Sequence, residues 1–193
     1  MRLLPASTLL KKEWDYKRWK NAEASASLAY KANLKPEQYV LDVHPNPNEQ
    51  SGLFFDKALE LLMTYQIYLP FRMQSKICNE TGRITKNVTI IQRILIGPIG
   101  FEAAVRVVDT FDIEKNGERC AGFTYATLKG HPECGIITFK VSRSNSKSQI
   151  QLGIESWSKP NSPALKLFRP LTKAIQKSSN QKALEFIKKQ IKN

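Results

Sequence analysis

The sequence predicts an α+β fold, a curved antiparallel sheet of about seven strands wrapped around one long C-terminal helix. Three observations carry this. Between Tyr68 and Trp157, apolar and polar residues alternate with period two in about six segments, near 68–78, 86–96, 101–113, 119–129, 135–143 and 148–157. Turn-forming residues stand at or near the breaks (Gly82, Gly97-Pro98, Asn116-Gly117, Gly130 and Ser144-Asn145), which is the chemistry of consecutive hairpins. After Pro160 and Pro163 the apolar period returns to that of a helix and holds to Ile191. A sheet with so wide an apolar face has to cover it, and curling around the final helix is the economical way.

Each element has its own signal. Residues 1–36 read as a helical leader, one helix from Leu9 to Tyr30 that ends near Asn33 and Pro36, with Trp14, Tyr16, Trp19 and Leu28 as apolar surface for packing on the body; a flexible tail is the competing reading. The domain proper, 37–193, opens with a short strand at Tyr39–Val43 and a turn-rich loop, His44-Pro45-Asn46-Pro47-Asn48. A helix follows over Leu53–Thr64, with Phe54, Ala58, Leu61 and Leu62 on one side and Ser51 placed to cap it. The cleanest strand alternation sets Ile137, Phe139 and Val141 against Ile136, Thr138 and Lys140, and Ile150, Leu152 and Ile154 repeat it. In the final helix Leu165, Phe168, Leu171, Ile175, Ala183, Phe186, Ile187 and Ile191 make the stripe. Ser178-Ser179-Asn180 interrupt that stripe, and Pro170 is expected to kink or offset the first turns.

Composition narrows the function. The 193 residues are 41 % hydrophobic, enough for one large domain with a real core. Cys78, Cys120 and Cys134 share no metal-ligand spacing, and with only His44 and His131 besides, no structural zinc site and no cofactor are expected. Free thiols fit a reducing compartment, no apolar run is long enough to span a bilayer, and Met1-Arg2-Leu3-Leu4-Pro5 is a poor signal peptide, so a cytoplasmic protein is expected. The net charge of +13 is uneven: from Lys140 onward twelve Lys or Arg face two acids, a net +10. Such an end either attracts an anionic membrane surface or nucleic acid, or is a solvated helix face.

The most informative stretch is Gly122-Phe123-Thr124-Tyr125-Ala126-Thr127-Leu128-Lys129-Gly130-His131-Pro132-Glu133, which sets a histidine in a Gly-His-Pro turn after an apolar strand. Tyr125, Thr127, Leu128, Gly130, His131, Pro132, Glu133, Gly135, Phe139, Ser158 and Pro160 resemble the family called domain of unknown function nineteen-ninety, whose run is Phe-x-Tyr-Gly-Thr-Leu-x-Gly-His-Pro-Glu. The resemblance spans roughly 38–190 and is specific over 122–160. It implies the helix-grip fold of START and birch-pollen-allergen-like proteins, whose members commonly hold lipids, steroids or polyketides, and it implies no activity for this branch. The chain departs from the family at Ala126 (usually Gly), at Ile136 and Ile137 (usually acids) and at Lys159 (usually Arg). The missing acids weaken a catalytic reading, and lysine cannot bind an anion in the bidentate way of arginine.

The candidate residues follow. His131 reads as a general base or an anion ligand, or else as a turn histidine bonded to backbone, with Glu133 placed to orient it. Tyr125 and Thr127 share a strand face, either a cavity wall or the convex side. Arg106, alone in an apolar strand, faces solvent or a pocket anion. Ser178 and Ser179 leave room for a ligand or mark a helix break, and Phe139 and Phe186 are candidate apolar walls. Cys134, next to this turn, lacks what a nucleophile needs beyond proximity in sequence.

Three functions are therefore expected to compete. The first is binding of an apolar or amphipathic small molecule, lipid or polyketide-like, between sheet and helix. The second is a cyclase- or hydrolase-like enzyme using His131. The third is an anionic-surface binder using Lys166, Lys173, Lys177, Lys182, Lys188 and Lys189, which no aromatic stacking series accompanies.

Overall fold

The computed structural model describes residues 2–33, 35–45, 51–144, 149–161 and 169–193. Its strands are β1 (Leu4–Pro5), β2 (Glu37–Val43), β3 (Met73–Ile77), β4 (Thr89–Ile96), β5 (Ile99–Lys115), β6 (Glu118–Thr127), β7 (Glu133–Ser144) and β8 (Ile150–Pro160). Its helices are α1 (Ala6–Lys11), α2 (Tyr16–Lys20), α3 (Ser51–Met63) and α4 (Arg169–Lys192), with a 3-10 turn at Leu28–Asn33. Seven strands form one antiparallel sheet in the order β2-β8-β7-β6-β5-β4-β3, and β1 pairs with the first residues of β5. From β3 to β8 every neighbour in the sheet is the neighbour in sequence, as a hairpin meander requires; only β2 steps out of order, to lie against β8. A register shift between Val107 and Asp109 interrupts the β5–β6 ladder, the kind of irregularity that bends a strand and deepens the twist.

The core lies on the concave face. Phe54, Phe55, Ala58 and Leu62 recur at helical spacing on α3 and are buried against Phe123, Phe139 and Val141 of the sheet. Ala183, Leu184, Ile187 and Ile191 of α4 join the same cluster. Ser178, Ser179 and Asn180 do not break α4, which runs unbroken through them. Pro170 stands at its second residue, where the missing N–H would have had no partner in the helix, so it starts the helix rather than kinking it. Leu165 and Phe168, the loop positions Asn46 to Asn48, and Asn145 lie outside the described residues.

Two sequence expectations are corrected. The strand expected from Tyr68 begins at Met73, because Pro70 has no N–H for a ladder and the backbone turns, with the Met73 N–H donating to the Leu69 carbonyl (3.0 Å). The leader is not one helix from Leu9 to Tyr30. Asp15 caps α2 by accepting from the Arg18 N–H (3.1 Å), and beyond α2 the backbone pairs with the end of β6 instead of with itself. The Ser25 N–H donates to the Thr127 carbonyl (2.7 Å), the Lys129 N–H to the Glu23 carbonyl (2.8 Å), and Ala24 bridges Leu128. The segment docks on the convex face, where Trp19 is buried with Ile91, Ala104 and Leu128. Tertiary contacts overrode a helix propensity that was only moderate.

Candidate functional site

The concave face is filled at one end only. Toward the β5–β6 turn and the end of β7, α3 occupies it, and the Arg119 guanidinium stacks on Phe55 at 4.6 Å. At the opposite end, the start of β3, the β4–β5 hairpin, the start of β7 and the end of β8 face the first half of α4. There a cavity of about 320 Å³ remains. Met73, Ile94, Phe101 and Ile137 wall it, and Leu3, Ile96 and Ile99, all exposed, rim it at the hairpin tip.

Polar groups converge deeper in. The hydroxyls of Tyr65 and Tyr125 meet at the Gln92 amide, whose Nε2 donates to Tyr65 at 2.5 Å, and the Tyr68 hydroxyl bonds to that of Tyr125. Burial pushes all three phenols up, Tyr125 to about 12, so they are neutral donors and acceptors at ordinary pH. Gln176 of α4 donates to the Ser156 and Ser158 hydroxyls (3.2 and 3.4 Å), and Ser158 in turn bonds the Glu133 carboxyl. Burial raises Glu133 above the usual carboxylate range. Asn180, one turn along α4 from Gln176, is 3 % exposed; its amide lies beside the Tyr39 hydroxyl, and its Nδ2 makes no well-aligned hydrogen bond.

The Gly-His-Pro turn sets His131 against this group. Gly130 has φ +99°, a conformation that favours glycine, and the Trp19 ring lies 3.5 Å from where a Cβ would stand. His131 Nδ1 lies 3.0 Å from the Glu133 backbone nitrogen and 3.1 Å from the Glu133 carbonyl oxygen. Whichever tautomer the ring adopts, the turn itself occupies Nδ1, accepting in one and donating in the other, and Nε2 is left for the cavity. Burial lowers the imidazole to about 4, so the ring is neutral at pH 7. Glu133 orients the histidine through its backbone and not through its carboxylate.

Of the residues singled out in the sequence, the cavity brings together Tyr125, His131 and Glu133 with Ser179. Arg106 lies on the other face of the sheet. It donates to the Trp19 and Lys20 carbonyls (3.3 and 3.0 Å), answering the C-terminal end of α2, and to Thr89. Thr127 ends β6 with its hydroxyl taken: the Gly135 N–H donates to it (2.9 Å) and Ser25 Oγ lies 2.5 Å away. Phe139 stands behind the tyrosines, its ring 5.6 Å from Tyr125 and 6.3 Å from Tyr68, in the core and outside the cavity wall. Ser178 and Phe186 are half-buried and lie outside the lining, whose serine on α4 is Ser179. The Cys134 thiol donates to the Ser25 carbonyl at 3.0 Å, tying down the leader. Lys173 pairs with Glu37 at 2.7 Å, and Lys166 lies outside the described residues.

Sequence reasoning missed Tyr65, Tyr68, Gln92, Gln176 and Asn180. Gln92 had a signal, being a lone amide between Ile90-Ile91 and Ile94-Leu95-Ile96. Tyr68 had none, since its place depends on the turn at Pro70.

The same architecture recurs in solved structures at low sequence identity. A hypothetical protein from Helicobacter pylori aligns over 91 % of this chain and 92 % of its own, at TM-score 0.51 and 10 % identity. A norcoclaurine synthase point mutant from Thalictrum flavum, in complex with a transition-state analogue, aligns over 79 % and 95 % (TM-score 0.46, 13 % identity). A major latex-like protein from Panax ginseng aligns over 75 % and 97 % (TM-score 0.37, 13 % identity). The likeness to the Helicobacter pylori protein is one of fold, a curved antiparallel sheet with a C-terminal helix. No curated protein matches the chain in sequence. A family model described as Domain of unknown function (DUF1990) matches residues 23–185, and the chain belongs to that family.

Proposed function

We propose that the protein binds an apolar or amphipathic small molecule in the cavity between the sheet and α4. One observation carries this reading: about 320 Å³ is left unfilled inside an otherwise closely packed concave face, with apolar walls and a few convergent polar groups at one end. Interiors normally pack to crystal-like density, because an unfilled space deprives its lining of contacts on one side. A pocket of this size and chemistry suits a ligand that restores those contacts. Tyr125 and His131 are its polar contacts in this reading, joined by Tyr68, Gln92 and Asn180.

The enzyme reading has less support. His131 is neutral, its Nδ1 is held by the turn, and the Cys134 thiol is bonded to the Ser25 carbonyl. Among the described residues no helix is long and apolar enough to cross a membrane, and for the basic-surface reading Lys173 already has an acidic partner. The test is mass spectrometry of small molecules released from natively purified protein, beside its native mass. A stoichiometric lipid- or polyketide-like compound is expected. An empty protein that also takes up no apolar dye when titrated overturns the reading, and a steep salt dependence of binding to anionic vesicles would then favour the basic surface.

A further inference from the structure

We infer that the ligand carries an uncharged oxygen, a carbonyl or a hydroxyl, on an apolar frame, and that the polar end of the cavity selects this head against a carboxylate or a phosphate. The inference rests on the cavity-binding reading above and specifies its ligand.

The first argument is an orphaned donor. Among the described residues three buried polar side-chain atoms lack a hydrogen-bond partner: Asn79 Oδ1, Arg143 Nε and Asn180 Nδ2. Only Asn180 belongs to the cavity lining. Its amide carries two N–H donors, and the Tyr39 hydroxyl beside it can take only one. A buried N–H left unpaired is a standing cost that an acceptor oxygen removes. Two further neutral groups stand on the same lining, the Tyr125 hydroxyl and His131 Nε2. All three suit a carbonyl or hydroxyl oxygen.

The second argument is charge. Among the described lining residues there is no lysine and no arginine, and the one ionisable acid is Glu133. An anionic head would be desolvated with no counter-charge beside it, which is costly, and would face a carboxyl group that it forces to stay protonated. Glu133 is already displaced upward by burial, and its bond to Ser158 opposes that displacement without cancelling it. Arg72 and Lys182 line a separate small cleft on the far side of Tyr68 and Ser179, and both are exposed to solvent. Their charges are in water, where a ligand gains little from them.

The experiment uses three probes of one frame, 2-acetonaphthone, naphthalene and 2-naphthoate, titrated calorimetrically into the full chain at pH 7. The ketone is expected to bind about tenfold or more tighter than the anion, the size of step that one unpaired or repelled head group produces. Asn180→Leu is expected to remove most of the ketone's advantage over naphthalene. Glu133→Gln is expected to bring 2-naphthoate closer to the ketone and to leave naphthalene unchanged. Equal affinity of ketone and naphthoate overturns the inference and leaves the cavity reading standing. So does a ketone advantage untouched by Asn180→Leu in a variant whose circular dichroism and unfolding show it folded. Absence of binding by all three overturns the cavity reading itself.

Discussion

The two halves of the buried face of α4 differ in kind. Toward the C-terminus, Ala183, Leu184, Ile187 and Ile191 meet α3 and the sheet in a closed apolar core. Toward the N-terminus the inward positions are Ile175 and the polar Gln176, Ser179 and Asn180, which meet a cavity. The helix is continuous across the change, so the difference comes from side chains and not from backbone. It teaches that the same sheet and helix serve two purposes: one end holds the fold together, and the other trades packing for a site. Substitutions at the two ends should then have opposite signatures.

The largest effect belongs to the closed end. Phe55→Ala removes a fully buried ring from under Arg119 and is expected to cost about 3–5 kcal/mol in denaturant unfolding, with ligand affinity of the remaining folded protein unchanged. A loss of affinity at preserved folding would break the division between the two ends.

Acid is the next largest, and it acts at the open end. The unfolded chain protonates a histidine near 6.5, whereas folded His131 resists until about 4. The stability this residue contributes is therefore complete above pH 6.5 and is lost as pH falls toward 4, on the order of 3 kcal/mol in all. Glu133 works with the opposite sign, because a raised carboxyl contributes stability below 4.5 that is lost as pH rises through its folded value. Comparing unfolding of the parent with His131→Gln across this range isolates the histidine. Parallel profiles would mean that the ring is not held neutral by the fold.

Asn180→Leu should separate stability from binding. It relieves a buried N–H that lacks a well-aligned partner but gives up the contact with Tyr39, so stability in thermal or denaturant unfolding is expected to change by less than about 1 kcal/mol while affinity for an oxygen-bearing ligand falls. Destabilisation beyond that would show that the amide is satisfied in the folded protein. The smallest effects sharpen the boundary of the cavity. Ser179→Leu fills part of it and is expected to change stability by less than about 1 kcal/mol while reducing uptake of 2-acetonaphthone several-fold. Ser178→Leu, one residue away and outside the lining, is expected to leave uptake as it was.

Much of the fold was legible in the sequence because hairpins are local. Asn116-Gly117 joins two strands two residues apart in the chain, and period two then says which side chains share a face. The candidate site was legible only in part. His131 was marked by its turn and Tyr125 by its strand, yet Arg106, in an equally suggestive setting, answers the carbonyls of α2 on the convex face. Nothing local distinguishes those outcomes, because the partner of Arg106 lies more than eighty residues away in the chain. Asn180 and Gln92 were hidden for the same reason: what makes a polar residue functional is what surrounds it, and α4 and β4 meet only in the folded protein.

The sequence by itself determined the order of strands and helices from Glu37 onward, the α+β class, the tight turns at Gly117 and Gly130, and the apolar stripe of α4. All of these follow from residue spacing and backbone preference within a few positions. Only the tertiary structure decided which face of the sheet is concave, which end α3 fills, and where the leader docks. Those are contests between surfaces distant in sequence, settled by which pairing buries the most apolar area with the fewest polar groups left unpaired.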